Sequence, residues 1–323
     1  MIIAQEHIII VMMCIKNLGY KLKFIFSNPI KLVGKIIVRA TSILGSVVTI
    51  FEILDTIFKT DKYMTYLAAE KLWSVVIISI IVSFITSINW IPRISFKING
   101  IDSRLTIAVG NIINTKTSII VSTNTSFITL LDNNIISRTS VQGAFENKYY
   151  KNNIIKLDNE IRNIVKKYPI KTKLRLNYNN KYYNVYDVGT VAQITQNNRN
   201  VYFLALNDIN SYGQNENRNP NDFYTALDKV WLYIRQCGNT EKVSIPLIGS
   251  GHAGISEITK ECALKEIVKS YIGQVQNYKI LDELIIYIHP SDLEHININN
   301  IKKFVENECM FAEKNIRNGI KEE

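Results

Sequence analysis

The chain has 323 residues, 47 % of them hydrophobic, with 38 Lys and Arg against 28 Asp and Glu and a formal net charge of +10. That is apolar material enough for a sizeable core and excludes a disordered chain, while the basic excess suits an anionic partner: nucleic acid, a membrane surface or a phosphorylated ligand. Its cysteines (Cys14, Cys237, Cys262, Cys309) form no CxxC pair and its histidines no HExxH, which argues against a metal site or a disulfide framework.

The opening stretch "MIIAQEHIIIVMMCIKNLGYK" has an apolar run, but Glu6 and His7 stand where a secretory signal carries basic residues, and no small-residue cleavage site follows. Residues 1–29 are therefore expected to form a basic segment in the cytoplasm or at the membrane interface. Residues 30–95 read as a two-helix membrane hairpin. The first helix, "IIVRATSILGSVVTIFEILDTIF" (36–58), is interrupted by Arg39, Glu52 and Asp55; Arg39 and Asp55 lie near its ends and can snorkel, whereas Glu52 lies deeper. The second, "LWSVVIISIIVSFITSINWI" (72–91), has no ionisable side chain and a tryptophan at each end, Trp73 and Trp90. At about 1.5 Å per residue such a helix crosses the hydrocarbon core. Lys16, Lys21, Lys23, Lys31 and Lys35 precede the first span (36–58) and Arg93, Lys97 and Arg104 follow the second (72–91), so both flanks are expected on the inner side.

From residue 96 to 323 short β-branched runs alternate with helical stretches, the pattern of an α/β domain with a mixed sheet flanked by helices. Strands are expected at 104–111, 117–123, 188–195, 200–207, 242–248 and 283–289, and helices at 153–167, 219–237, 258–274 and 297–315. Pro92 and "RISFKING" read as the boundary, and "NDINSYGQNENRNPND" (207–222) as a polar surface loop or the roof of a cleft.

The run "IPLIGSGHAGI" (245–255) places Gly249, Ser250, Gly251, His252, Ala253 and Gly254 between a strand and a helix capped by Ser256 or Thr259. Glycines let backbone amides approach phosphate oxygens, and the following helix N-terminus adds a positive dipole. The loop sits late in the chain with no acidic residue placed as a dinucleotide fold requires, so a nicotinamide dehydrogenase is disfavoured.

Three further segments accompany it in order: "LTIAVGNII" (105–113), "SIIVSTNTSF" (118–127) and "SVQGAF" (140–145). Together the four resemble a macro domain, the ADP-ribose-binding α/β module. The resemblance implies that Asn124 holds the ribose farther from the adenine and that the amides of Val141, Gln142 and Gly143 form a first phosphate loop. It makes residues 249–254 the second phosphate loop and puts Asn111 where the family has an Asp beside the adenine amino group. Val121 replaces the first Asn of the family's hydrolases, and "ISRTS" (136–140) replaces a glycine run, where Arg138 either meets an acidic ligand group or, as is commoner, faces solvent. A water-orienting group is thereby missing, so the resemblance implies a binder and not an enzyme, with no cofactor and no metal.

Joined to a membrane anchor, this domain is similar to the effectors of bacterial Thoeris antiphage systems built from transmembrane segments and a macro domain. That resemblance implies an ADP-ribose-type signalling nucleotide, such as a histidine conjugate, made by a TIR-domain, NAD-consuming partner. It further implies association of several copies and disruption of the bacterial inner membrane, with the N-terminus and macro-like domain cytoplasmic, ending in abortive infection. A membrane-tethered ADP-ribosyl hydrolase is the alternative. Nucleic acid is not expected as a partner, because the basic segments flank the membrane region.

Overall fold

The computed structural model describes residues 29–66, 72–88, 93–129, 135–216, 219–237, 241–249, 258–276 and 279–319. The chain divides into two compact units, Met1–Pro92 and Arg93–Glu323.

In the first unit, helix α1 (Pro29–Phe58) is followed by a short helix α2 (Lys62–Tyr66) and by α3 (Leu72–Ile88). Helices α1 and α3 pack on each other. Ile36–Phe58 is long and apolar enough to cross a membrane, and none of it is buried within the protein; Trp73–Phe84 of α3 is a shorter apolar stretch. Hydroxyl groups in α1 donate to carbonyls one turn back: Thr41 to Ile37, Ser46 to Ser42, Thr49 to Gly45 and Thr56 to Glu52. These four hydroxyls are thus satisfied without a partner helix. Asp55, near the end of the span, accepts from the Tyr63 N–H (3.0 Å) and the Met64 N–H (2.8 Å), capping α2 and closing the turn. The segment 1–28, which carries the interfacial expectation, and Trp90 lie outside the described residues.

The second unit is built on a seven-stranded mixed sheet. Its strands are β1 (Arg93–Lys97), β2 (Arg104–Val109), β3 (Ser118–Asn124), β6 (Val191–Gln196), β7 (Arg199–Asn207), β8 (Lys242–Pro246) and β9 (Glu283–Ile288). They lie in the order β1-β2-β9-β8-β3-β7-β6. The five inner strands are parallel, and β1 and β6 close the edges antiparallel. Near-continuous burial of "LTIAV", "FLALN" and "LIIYI" is what a parallel strand covered on both faces requires. A separate hairpin, β4 (Thr172–Arg175) with β5 (Tyr182–Val185), stands apart from the sheet.

The covering helices are α4 (Val141–Tyr149), α5 (Ile154–Val165), α6 (Pro220–Gln236), α7 (Lys260–Val275) and α8 (Ile298–Gly319). Helix α6 opens with Asn219 as cap, Pro220 in the first turn and Asp222 near the positive end of its dipole, and α7 opens with Thr259 accepting from the Cys262 N–H. Trp231 of α6 donates to Ser270 Oγ of α7 at 2.9 Å and meets the Tyr271 ring edge-on at 5.4 Å, joining the two helices in the core.

Several expected elements shift. The "RISFK" boundary is an edge strand, β1. The strand expected from 188 begins at Val191, because Gly189 turns the chain at φ +82°. Those expected to reach 111, 248 and 289 stop at Val109, Pro246 and Ile288. The 207–222 stretch is short of being a free loop: its first residue ends β7, Ile209 bridges to Asn215, and Pro220 opens α6.

Candidate functional site

All five parallel strands run the same way, so Val109, Asn124, Asn207, Pro246 and Ile288 end at one carboxyl edge, where ligands of open α/β sheets bind. At the tip of β3 the register slips between Thr123 and Asn124. Asn124 is buried, and its Oδ1 accepts from the N–H groups of Ser126 and Ile128, each at 3.1 Å. It shapes the turn it heads. Phe127 in that turn takes the left-handed conformation (φ +50°) and packs edge-on against Tyr186 at 5.9 Å. The Thr125 N–H donates to Asn207 O (2.8 Å) and its hydroxyl to Asp208, which fixes the ends of β3 and β7 to each other.

Three buried polar atoms at these strand ends have no hydrogen-bond partner among the described residues: Thr123 Oγ1, Ser126 Oγ and Asn207 Oδ1. Two hydroxyls and a carbonyl offer both donors and acceptors, the set that a polyhydroxylated ligand satisfies.

The helix after this turn begins at Val141. Ser140 caps it, accepting from the Gly143 N–H at 3.0 Å while donating to Ser137 O at 2.6 Å. Gly143 is required here: a Cβ would overlap Ser137 O and stand 3.0 Å from Arg138 Cα. Val141 is half-buried, Gln142 and Gly143 are buried, and Arg138 is exposed. The Gln142 amide donates to Ile128 O (3.0 Å) and to Glu146 Oε1 (2.9 Å). Glu146 is fully buried, and its Oε2 has no partner among the described residues. Burial pushes its carboxyl up to about 8, with nearby Asp158 adding to the rise and the Gln142 hydrogen bond opposing it.

Asn111 follows β2 and is exposed; its Oδ1 accepts from the Ile113 N–H at 2.9 Å and caps a 3-10 turn over Ile112–Asn114. One carbonyl lone pair and the amide donors remain for a ligand. Gly249, at φ +82°, turns the chain out of β8 so closely to α6 that a Cβ would lie 2.9 Å from Phe223 Cδ2. Ser250, Gly251, His252, Ala253 and Gly254 lie outside the described residues.

The structure therefore brings Asn111, Asn124 and Gly249 to one edge of the sheet, and it joins Asn124 to the Val141–Gly143 turn through Ile128 and Gln142. Thr123, Ser126, Asn207 and Glu146 were not anticipated. The run "STNTS" at a strand end carried a trace of the first two; Glu146 reads as an ordinary surface charge until the packing of its helix is known.

A mixed sheet with antiparallel edges, helices on both faces and a polar carboxyl edge headed by Asn124 defines the macro-domain fold. Within that class the chain belongs to the Thoeris protein ThsA macro-domain family, whose model matches residues 105–289. It is similar to the Thoeris protein ThsA of Bacillus amyloliquefaciens (strain Y2), 24 % identical over 241 residues that cover 72 % of this chain and 76 % of that one. Solved structures of the Oceanobacillus iheyensis macrodomain are also similar. The form with MES bound is 17 % identical with a TM-score of 0.46, covering 68 % of this chain and 100 % of that one. The form with ADP is 16 % identical with a TM-score of 0.43, covering 68 % and 96 %.

Proposed function

We propose that this protein is a membrane-anchored antiphage effector whose macro domain binds an ADP-ribose-derived signal, such as a histidine conjugate, made by a TIR-domain partner. The observation that carries the reading is the set of buried atoms on Thr123, Ser126 and Asn207 that have no partner among the described residues, at strand ends whose Asn124 turn is hydrogen-bonded to the first turn of α4. Hydroxyl-rich ribose suits the first, and a diphosphate suits the helix N-terminus and the Gly249–Gly254 loop. Asn124 would hold the distal ribose and Asn111 the base.

The Ile36–Phe58 helix supports attachment to the inner membrane, with α3 as a second pass and both flanks cytoplasmic. Ligand-driven association of several copies would gather these helices and disrupt the bilayer, ending growth before the phage matures. Such a switch from 1:99 to 99:1 demands a preference of about 10⁴-fold for one state. Val121, apolar and fully buried where a hydrolase places its first Asn, supports binding without turnover.

The test is calorimetric titration of the full chain in lipid nanodiscs with ADP-ribose and its histidine conjugate, alongside Gly251→Glu, which puts a carboxylate into the proposed phosphate loop. Saturable binding lost in the variant is expected; no binding of either compound overturns the reading. Release of ADP-ribose from modified substrates under the same conditions would establish the hydrolase alternative instead.

A further inference from the structure

We infer that the outward face of the β4–β5 hairpin is a docking surface for an anionic phospholipid bilayer. Between Lys166 and Tyr186 the chain carries Lys166, Lys167, Lys171, Lys173, Arg175 and Lys181 and no acidic residue. All six are exposed. None pairs with a carboxylate among the described residues: Lys166 bonds Asn163 Oδ1, Lys167 lies over the Tyr168 ring, and Arg175 bonds Asn180 Oδ1 and lies over Tyr182.

The register sorts the two faces. Leu174 pairs with Tyr183; Tyr183 belongs to a buried cluster with Leu176, Ile128, Ile135, Ile136 and Ile209, and the half-buried Leu174 packs against it. Alternation then sends Lys173, Arg175 and Tyr182 outward. Among the cations stand exposed apolar groups, Ile170 (51 %) and Tyr182 (66 %). Basic side chains interleaved with an aliphatic and an aromatic residue suit a bilayer interface: cations meet lipid phosphates, Tyr sits at headgroup level and Ile reaches the acyl boundary. Nucleic acid would use the same charge but has no use for Ile170. The Ile36–Phe58 helix of this chain supplies the membrane, so this inference rests on the membrane part of the proposed function.

The inner face connects this surface to the ligand site. Ile128 of the hairpin's cluster donates to Asn124, the Tyr186 N–H donates to Thr125 O (2.9 Å), and the Asn177 N–H to Ser211 O (2.9 Å). A movement of the Asn124 turn is therefore felt by a hairpin whose other side meets lipid.

The experiment is amide hydrogen exchange of the full chain in nanodiscs of phosphatidylcholine, with and without phosphatidylglycerol. Amides over 171–185 should slow by about tenfold when the anionic lipid is present, and lose that protection at high salt and in the triple variant Lys171→Glu, Lys173→Glu, Arg175→Glu. Unchanged exchange in β2 and β3 of the variant shows that it has folded. Equal exchange in the two lipids, or protection by an oligonucleotide and not by lipid, overturns the surface. A chain that does not incorporate into discs at all overturns the membrane reading and this surface with it.

Discussion

The Gln142 side-chain amide donates to Ile128 O at 3.0 Å, so a residue in the first turn of α4 holds the turn that follows β3. The same nitrogen reaches Glu146 Oε1, and the Ile128 N–H reaches Asn124 Oδ1. The proposed ribose and phosphate elements are thus one hydrogen-bonded unit. Gln142→Leu fills the space but cuts both bonds, leaving Ile128 O unsatisfied at a cost of about 1–3 kcal/mol. We expect a lower Tm and about tenfold weaker ADP-ribose binding. A Tm loss with an unchanged Kd would mean that Gln142 serves the fold alone.

Glu146 makes stability depend on pH in a stated direction. Its carboxyl titrates near 8 when folded, against about 4.5 for a free glutamate, so between those values the folded chain keeps a proton that the unfolded chain has released. Stability therefore falls as pH rises from 4.5 toward 8 and levels off beyond. Glu146→Gln keeps an acceptor for Gln142 and does not titrate. Its stability should match the parent near pH 4.5 and exceed it at pH 8.5 by a free energy on the order of a few kcal/mol, read as a higher Tm. Melting curves across that range check this; a constant difference between the two proteins would show that Glu146 is ionised in the fold.

Much of this was legible in the sequence, for a physical reason. The inner strands are covered on both faces, so "LTIAV", "FLALN" and "LIIYI" announce themselves by apolar content. The hairpin did not, because "TKLR" and "YYNV" are four residues each and the first is largely exposed, leaving alternation too little length to register. "RISFK" read as a linker because an edge strand is half polar by construction. Asn111 and Asn124 read as site residues in the sequence, and in the structure both serve local turns, which spacing alone does not distinguish from ligand contact. The burial of Glu146 follows from tertiary packing: its neighbour Phe145 docks on Phe203 of β7 at 5.6 Å and draws the helix onto the sheet.

Gly143 offers a test of the loop before α4 that involves no ligand. Helical backbone ordinarily favours Ala over Gly, by up to about 1 kcal/mol. Here a Cβ would strike Ser137 O, so the sign reverses. Gly143→Ala should destabilise by roughly 1–3 kcal/mol, read as a drop in the urea midpoint with the slope unchanged. An alanine variant as stable as the parent would mean that residues 137–140 yield freely.

Asn124 separates turn from ligand most directly, because its two roles use different atoms. The Oδ1 atom accepts from the Ser126 and Ile128 N–H groups, and the amide nitrogen remains for a ligand. Asn124→Ala strands two buried N–H groups and should lower both Tm and affinity, at a cost of about 2 kcal/mol or more. Asn124→Asp keeps the acceptor, and two N–H donors stabilise its carboxylate, so the turn survives. It loses the donor and sets a negative charge beside a proposed diphosphate, so ADP-ribose should bind at least about tenfold more weakly while Tm stays near the parent. Adenosine, which lacks phosphates, should be affected less. If the Asp variant bound ADP-ribose as tightly as the parent, Asn124 would be a turn residue only, and the ribose would have to rest on Thr123, Ser126 and Asn207.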